Sequence, residues 1–354
     1  MAKQALIVGA GVGGLSTAIG LRDAGWSVTV WERWPRVVGV GAALGLWPEA
    51  QDGLATIGLG DQFSQASVPV TEAAIYRHDG RRLLRLPGDS PRTPRVRLIS
   101  RRTLMDLLLT HANDIDIRTG VRADQAALRA QLTETDVLIG ADGLRSAVRQ
   151  TFFGDRTTPR YSGLIGYRGT VDFESGSYGE TWGDGALFGN TPMEPGRTNF
   201  YAAFRAQPQD TSGLDGLRER FGAWREPIPT ILAAAQEADL LRNPIYDLHP
   251  PLPGFVAGRV ALLGDAAHAM TPHAGRGGCE AIIDAISLVH HLTAATRDDG
   301  DDGVTAALRR YDGERRKKAQ QIAARSRRIG TVSHARSGAT VRNLMLRGLQ
   351  PLVR

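Results

Sequence analysis

Near the start of the chain, Gly9-Ala10-Gly11-Val12-Gly13-Gly14 places glycines at the three positions of a Gly-x-Gly-x-x-Gly turn, with Gly13 as a fourth small residue beside them. Such a turn suits phosphate chemistry. Its first glycine permits the tight turn, its second lets backbone approach a pyrophosphate, and its third lets a helix pack closely on the preceding strand. The helix start adds N–H donors and a partial positive charge. Glu32, expected at the end of the next strand, can accept hydrogen bonds from ribose hydroxyls. These residues predict a dinucleotide site, a signature shared by NAD and FAD. About 250 residues further on, Gly264-Asp265 follows a short apolar run and leads to a second Gly-rich turn, Pro272-His273-Ala274-Gly275-Arg276-Gly277-Gly278. An aspartate there can bond a ribityl or ribose chain, and a turn opening a helix again offers N–H groups to an electron-rich acceptor. Two such starts, far apart in sequence, suggest one long cofactor stretched between them.

The elements needed to position these residues are legible around them. Residues 4–8 read as a buried strand, Leu15, Ala18 and Ile19 recur at helical spacing, and Ser27 to Glu32 reads as a second strand. A Gly-rich and then helical stretch covers 35–66. Alternation over 71–96 predicts a hairpin turning at Asp79-Gly80. A helix is expected from Arg101, a short Ala-rich helix at about 124–132, and a strand over Asp136 to Gly140. Short strands such as Gly166 to Val171 and Thr198 to Phe204 fill 157–250, with helices near 213–224 and 227–240. The chain returns with a strand at Arg259 to Leu263, a helix at about Gly277 to Leu292 and a long basic helix over 303–329. The expected fold is α/β: a Rossmann-like domain from 1–70, 97–156 and 255–300, interwoven with a mainly antiparallel β-sheet substrate domain from 71–96 and 157–254. A C-terminal basic helical region spans 301–354.

Taken together, Gly9 to Gly14 with Glu32-Arg33, Ile139-Gly140-Ala141-Asp142-Gly143, and Gly264-Asp265 through the Pro272 to Gly278 turn resemble the class A flavoprotein monooxygenases, the fold of para-hydroxybenzoate and salicylate hydroxylases. The resemblance runs in order over nearly the whole chain. It implies non-covalent FAD, with its ADP half at Gly9 to Glu32 and Arg33, Asp265 near the ribityl chain, and Gly275, Gly277 and Gly278 beside the isoalloxazine. Arg101 resembles the family's arginine that helps hold FAD, Val121 matches a position that touches adenine, and Asp142 belongs to a motif linked to both FAD and NAD(P)H. The implied reaction uses NADH or NADPH and O2 to hydroxylate or epoxidise a small aromatic or polyketide-like substrate through a C4a-hydroperoxyflavin. The chain departs from the pattern at Glu49, His273 and Arg276, and no thioredoxin-like domain follows.

Tyr167, Arg168 and Trp182 on expected strands of the second sheet, with Pro272 and His273 of the Gly-rich turn, are the candidate substrate residues; core or surface roles are the competing reading for each. No side chain is required as a nucleophile in flavin-centred chemistry. His268 reads as packing, and Cys279 as a small buried hydrophobe. His290-His291 point in different directions on a helix, so no metal is expected.

Composition narrows the alternatives. At 42% hydrophobic and 23% charged, the chain is globular in type, and its one cysteine fits a reducing, cytoplasmic compartment. No signal peptide is visible, and no apolar run reaches the roughly 18 residues of a membrane span. The net charge of +6 is concentrated at the end, where residues 301–354 carry 13 Lys and Arg against 4 Asp and Glu. Such a run is read as a solvated helical face covering the body, and no nucleic acid is expected as partner. A flavin reductase or dehydrogenase of the same fold is the nearest alternative function.

Overall fold

A computed structural model describes residues 2–39, 41, 43–87, 95–294 and 300–348. The chain opens with β1 (Gln4–Val8), α1 (Val12–Asp23) and β2 (Ser27–Glu32), then β3 (Ala43–Leu46), α2 (Pro48–Thr56), α3 (Gly60–Ala66) and β4 (Val68–Pro69). The hairpin β5 (Glu72–Arg77) and β6 (Arg82–Pro87) precedes β7 (Arg97–Ser100), α4 (Arg101–His111), β8 (Asp116–Thr119), α5 (Gln125–Glu134), β9 (Val137–Gly140) and α6 (Ala147–Phe153). Next come β10 (Thr158–Val171), β11 (Gly179–Trp182), β12 (Ala186–Pro192), β13 (Thr198–Arg205), α7 (Gly213–Phe221), α8 (Ile228–Ala234) and β14 (Leu241–His249). The chain closes with β15 (Val256–Ala257), β16 (Val260–Leu262), α9 (Asp265–His268), α10 (Gly277–Ala294), α11 (Gly300–Ser333) and α12 (Ala339–Gly348).

Three sheets result. The first has the order β15-β16-β9-β1-β2-β8, with β1 central and parallel to both β2 and β9. Parallel strands covered on both faces must be apolar throughout, as Ala5, Leu6, Ile7 and Val8 are. Helix α1 is buried on nearly all sides because it lies between this sheet and α10, which is why it shows no polar stripe. The C-terminal α11 joins the same core through Val304, Ala307, Leu308, Tyr311 and Ala319. The basic region is therefore core on one side and solvated on the other.

The second sheet, β14-β10-β13-β12-β11-β5-β6, is antiparallel except where β11 runs parallel to β5. Its back face (Ile165, Tyr167, Phe188, Phe200, Phe204) packs on α7 and α8 through Leu217, Phe221 and Ile231. Period-two alternation leaves Arg168 and its cross-strand partner Tyr201 on the front face. The helix expected over about 227–240 stops at Ala234, and Glu237 instead accepts the Leu214 N–H at 2.7 Å across the loop. A small third sheet, β3-β7-β4, braces the first turns of α4 and α10. Gly45 O lies 3.2 Å from the Cys279 thiol, which burial and its neighbours hold at a pKa of about 11, in keeping with a packing role. Among the described residues no helix is long and apolar enough to cross a membrane.

Candidate active site

The glycines of the first turn divide into packing and opening. A Cβ on Gly14 would lie 1.9 Å from Gly9 O, and one on Gly9, where φ is +107°, would lie 2.4 Å from Ala141 O. A Cβ on Gly13 would strike Leu263 and α10. In contrast, nothing stands within 4 Å of the Cβ position of Gly11. The turn is thus tight behind and open in front, the shape a diphosphate requires. Glu32 lies against it, with one carboxylate oxygen accepting the Ala10 N–H at 2.9 Å and the other the Trp34 N–H at 3.0 Å. Val121 donates its N–H to Glu32 O at 2.9 Å, which brings it to the edge of the same turn. Arg33 is exposed, its guanidinium over the Trp34 ring.

Asp142 follows β9 and accepts the Ala147 and Val148 N–H groups at 2.7 and 3.3 Å, opening α6. Burial raises its carboxyl pKa against the pull of Ser146 and those N–H groups. Arg149 on α6 is fully buried and donates to Leu144 O at 2.7 Å and Ala266 O at 2.8 Å, tying the Asp142 segment to the Asp265 turn.

Asp265 is accessible from the cleft, yet the surrounding protein raises its pKa, opposed by the charges of His268, Arg101 and Arg168. Ser100 caps α4 by accepting the Thr103 N–H at 3.0 Å and so fixes Arg101 at the first helical position; losing such a cap costs about 1 kcal/mol. Arg168 arrives from the front face of the second sheet, its pKa lowered by burial and by Arg101. Among the described residues neither guanidinium forms a hydrogen bond. Two cations and one carboxylate, from three separated parts of the chain, lie near enough for their charges to act on one another.

In the second Gly-rich turn, only Gly275 needs a left-handed backbone, at φ +62°. The Cβ positions of Gly275 and Gly277 meet nothing within 4 Å, and that of Gly278 would sit 3.7 Å from Leu44. This is a second open cradle, with Pro272 exposed at its lip. His273 turns instead toward α11, where Gly330 leaves room for its ring and His334 meets it edge-on at 5.1 Å between centroids. Burial, then His334, pushes its pKa down to about 3, so it is neutral.

On the front face, Tyr201 lies over Gly189 and donates to Glu180 at 2.9 Å, while Trp182 donates to the other Glu180 oxygen at 2.8 Å. Burial raises the Glu180 pKa despite these two donors. Trp182 is covered by the Arg342 guanidinium of α12. Tyr167 is not brought to this face. Odd positions of β10 point backward, and its ring stacks on Phe204 with its hydroxyl 3.4 Å from Ser212.

Behind the cradle runs a buried chain of charges that the sequence reading did not assemble. His268 Nε2 lies 2.5 Å from Asp284, Arg315 bridges Asp284 at 2.8 Å and Glu280 at 2.6 Å, and Arg276 bonds Glu280 at 2.7 Å. Glu280 and Asp284, four apart in the otherwise apolar first half of α10, were the available signal, since buried acids require cations.

A group with a diphosphate, a polyol chain and an electron-rich ring fits these features: the open Gly11 turn, the accessible Asp265, and the open turn at Gly275 to Gly278 that leads into α10. The fold and site are those of an FAD-dependent flavoprotein. Residues 2–326 match the FAD binding domain family, and the chain belongs to it, within the class A FAD-dependent monooxygenases. It is 33% identical to aurachin C monooxygenase/isomerase of Stigmatella aurantiaca, over 92% of this chain and 88% of that one. It is 30% identical to an FAD-dependent urate hydroxylase of Klebsiella pneumoniae, over 94% of this chain and 91% of that one. The structure of Klebsiella pneumoniae HpxO complexed with FAD and uric acid superposes with a TM-score of 0.85 at 26% identity, covering 99% of this chain and 95% of that one.

Proposed function

We propose that this FAD-dependent monooxygenase takes electrons from NADH or NADPH and inserts one atom of O2 into a small aromatic or polyketide-like molecule, by hydroxylation or epoxidation, in the cytoplasm. The carrying observation is the pair of open glycine turns, at Gly11 and at Gly275 to Gly278, with the exposed Asp265 on the chain between them and the charges of Arg101 and Arg168 acting on it. Similar proteins named for urate and for 3-amino-4-hydroxybenzoate support a ring-shaped substrate. The single cysteine, buried and unpaired, supports the compartment.

In this reading residues 1–70, 97–156 and 255–300 serve the cofactor, and 71–96 with 157–254 serve the substrate. The Gly9 to Gly14 turn and Glu32 hold the ADP half, with Val121 at its adenine edge. Asp265 holds the ribityl chain and Arg101 assists it. The N–H groups of Gly277 and Gly278 stabilise negative charge on the ring, as fixed dipoles do for developing charge. FAD supplies electron transfer and oxygen activation when bound. Arg168 and the Glu180–Tyr201 pair form a polar wall for the substrate, with Trp182 orienting Glu180.

Two measurements test the reading. Under 18O2, product should gain one labelled atom; NAD(P)H oxidation giving unlabelled product would instead identify a reductase or dehydrogenase. Asp265→Ala should purify pale, because a methyl cannot accept ribityl hydroxyl bonds, with FAD affinity lowered about 10- to 150-fold for the roughly 1.5–3 kcal/mol of a charged hydrogen bond. Unchanged affinity would remove Asp265 from the site.

A further inference from the structure

Asp284 lies on α10, outside the cleft, with no access to it. One of its oxygens receives two groups of the Asp265 turn: the Gly264 N–H at 2.9 Å and His268 Nε2 at 2.5 Å. These flank Asp265 on both sides in sequence. Gly264 has φ +56°, so the turn has a specific backbone shape for that bond to hold. The other Asp284 oxygen receives Arg315, which comes from the C-terminal helix α11. The same arginine bonds Glu280, and Glu280 in turn holds Arg276 inside the second Gly-rich turn, at 3.0 and 2.7 Å through two guanidinium nitrogens. Arg276 also lies over the Trp47 ring at 4.9 Å and reaches Glu49 at 3.3 Å. One carboxylate pair on α10 and one arginine on α11 thereby fix both segments placed at the cofactor.

We propose that Asp284 and Arg315 are positioning residues for FAD: through Gly264 and His268 they set Asp265, and through Glu280 and Arg276 they set the open cradle, so that helix α11 completes the cofactor site from behind. Such bonds act by orienting groups that make the contact, as outer partners do around other cofactors. The inference rests on the cofactor placement proposed above.

The test uses Asp284→Asn, which keeps one acceptor oxygen but cannot accept Arg315 and the Gly264–His268 pair together, and Arg315→Lys, which keeps the charge but not the two-carboxylate fork. FAD affinity by flavin fluorescence titration and the visible circular dichroism of bound flavin are read on protein whose near-ultraviolet spectrum is that of the wild type. We expect a loss of affinity of at least tenfold for Asp284→Asn, a smaller loss for Arg315→Lys, and altered flavin dichroism in both. If Asp284→Asn does not fold, Arg315→Lys decides alone. A folded Arg315→Lys with affinity within twofold of the wild type and an unaltered flavin spectrum would overturn the inference. Asp265→Ala run in parallel separates the two failures: if it weakens FAD and these variants do not, the positioning fails; if it too has no effect, the placement of FAD beside Asp265 fails.

Discussion

At the scale of single residues, the sharpest contrast in the site is between Gly11 and Gly14. Both occupy fingerprint positions, but a methyl on Gly14 collides with Gly9 O whereas a methyl on Gly11 enters open space at an extended backbone with φ −78°. Gly14→Ala should therefore lower the melting temperature of FAD-free protein, since backbone must shift in a packed turn, by several degrees for each kcal/mol lost. Gly11→Ala should leave that temperature unchanged or slightly higher and weaken FAD binding, because its methyl takes up space a diphosphate needs. Differential scanning fluorimetry with and without FAD separates the two, and equal effects on the apoprotein would contradict this division of roles. The spacing marked this turn in the sequence; which glycine packs and which opens is set by Gly9 O against Gly14 and by the distant Ala141 O against Gly9, and is legible only in three dimensions.

At the scale of elements, the sequence reading succeeded where a pattern is local and lost ground where partners are distant. The hairpin at Asp79-Gly80, the helix from Arg101 and the short helix near 124–132 stand where local patterns placed them, and in the structure Ser100 and Asp124 cap the two helix starts. Tyr167 shows the other case. Its strand was legible, but which face of that strand meets the cleft is set by α7 and α8 packing on the odd positions. Helix α10 likewise revealed two acids without revealing Arg315. The ion pair between α9 and α10 carries a pH signature. Burial opposes charge on His268, but the Asp284 carboxylate outweighs it and raises the imidazole pKa above its ordinary value near 6.5. The stability this pair contributes is complete below that ordinary value and is lost as pH rises through the raised, folded value. Thermal melts of wild type and His268→Asn should therefore differ most below the ordinary value and draw together as pH rises through the raised one, and a gap that instead widened with rising pH would show that His268 is neutral in the folded protein.

For the whole molecule, the C-terminal helix is the test of how far the basic tail is an appendage. Val304, Leu308 and Tyr311 are buried against the first sheet, and the Tyr311 hydroxyl donates to Leu262 O at 2.8 Å. Burial of each large apolar side chain contributes about 1.5–3 kcal/mol, so removing them uncovers an amount comparable to the roughly 5–15 kcal/mol stability of a domain. A chain ended at residue 299 should be insoluble or lack near-ultraviolet dichroism, whereas one ended at 338, which keeps α11, should fold. A soluble 1–299 fragment that binds FAD like the full chain would contradict this. Charge composition alone pointed to a solvated tail because its 13 cations far outnumber its 4 acids; the buried stripe is sparse, and Arg315 is itself one of the buried side chains.

The order of strands in the first sheet also sets a schedule for synthesis. The β1 strand is among the first segments to leave the ribosome, but β9 and then β16, which complete its side of the sheet, are translated over 100 and 250 residues later. At about 5–20 residues per second, β1 and α1 wait roughly 10–50 seconds for β16, with apolar surface uncovered throughout. All strands of the second sheet, β5, β6 and β10 to β14, emerge within that interval, so it can form first, around the gap. Slower translation before residue 260 would lengthen the exposure, and a chaperone holding the first thirty residues would shorten its consequences; yield in cells should respond to either more than the stability of the finished protein does.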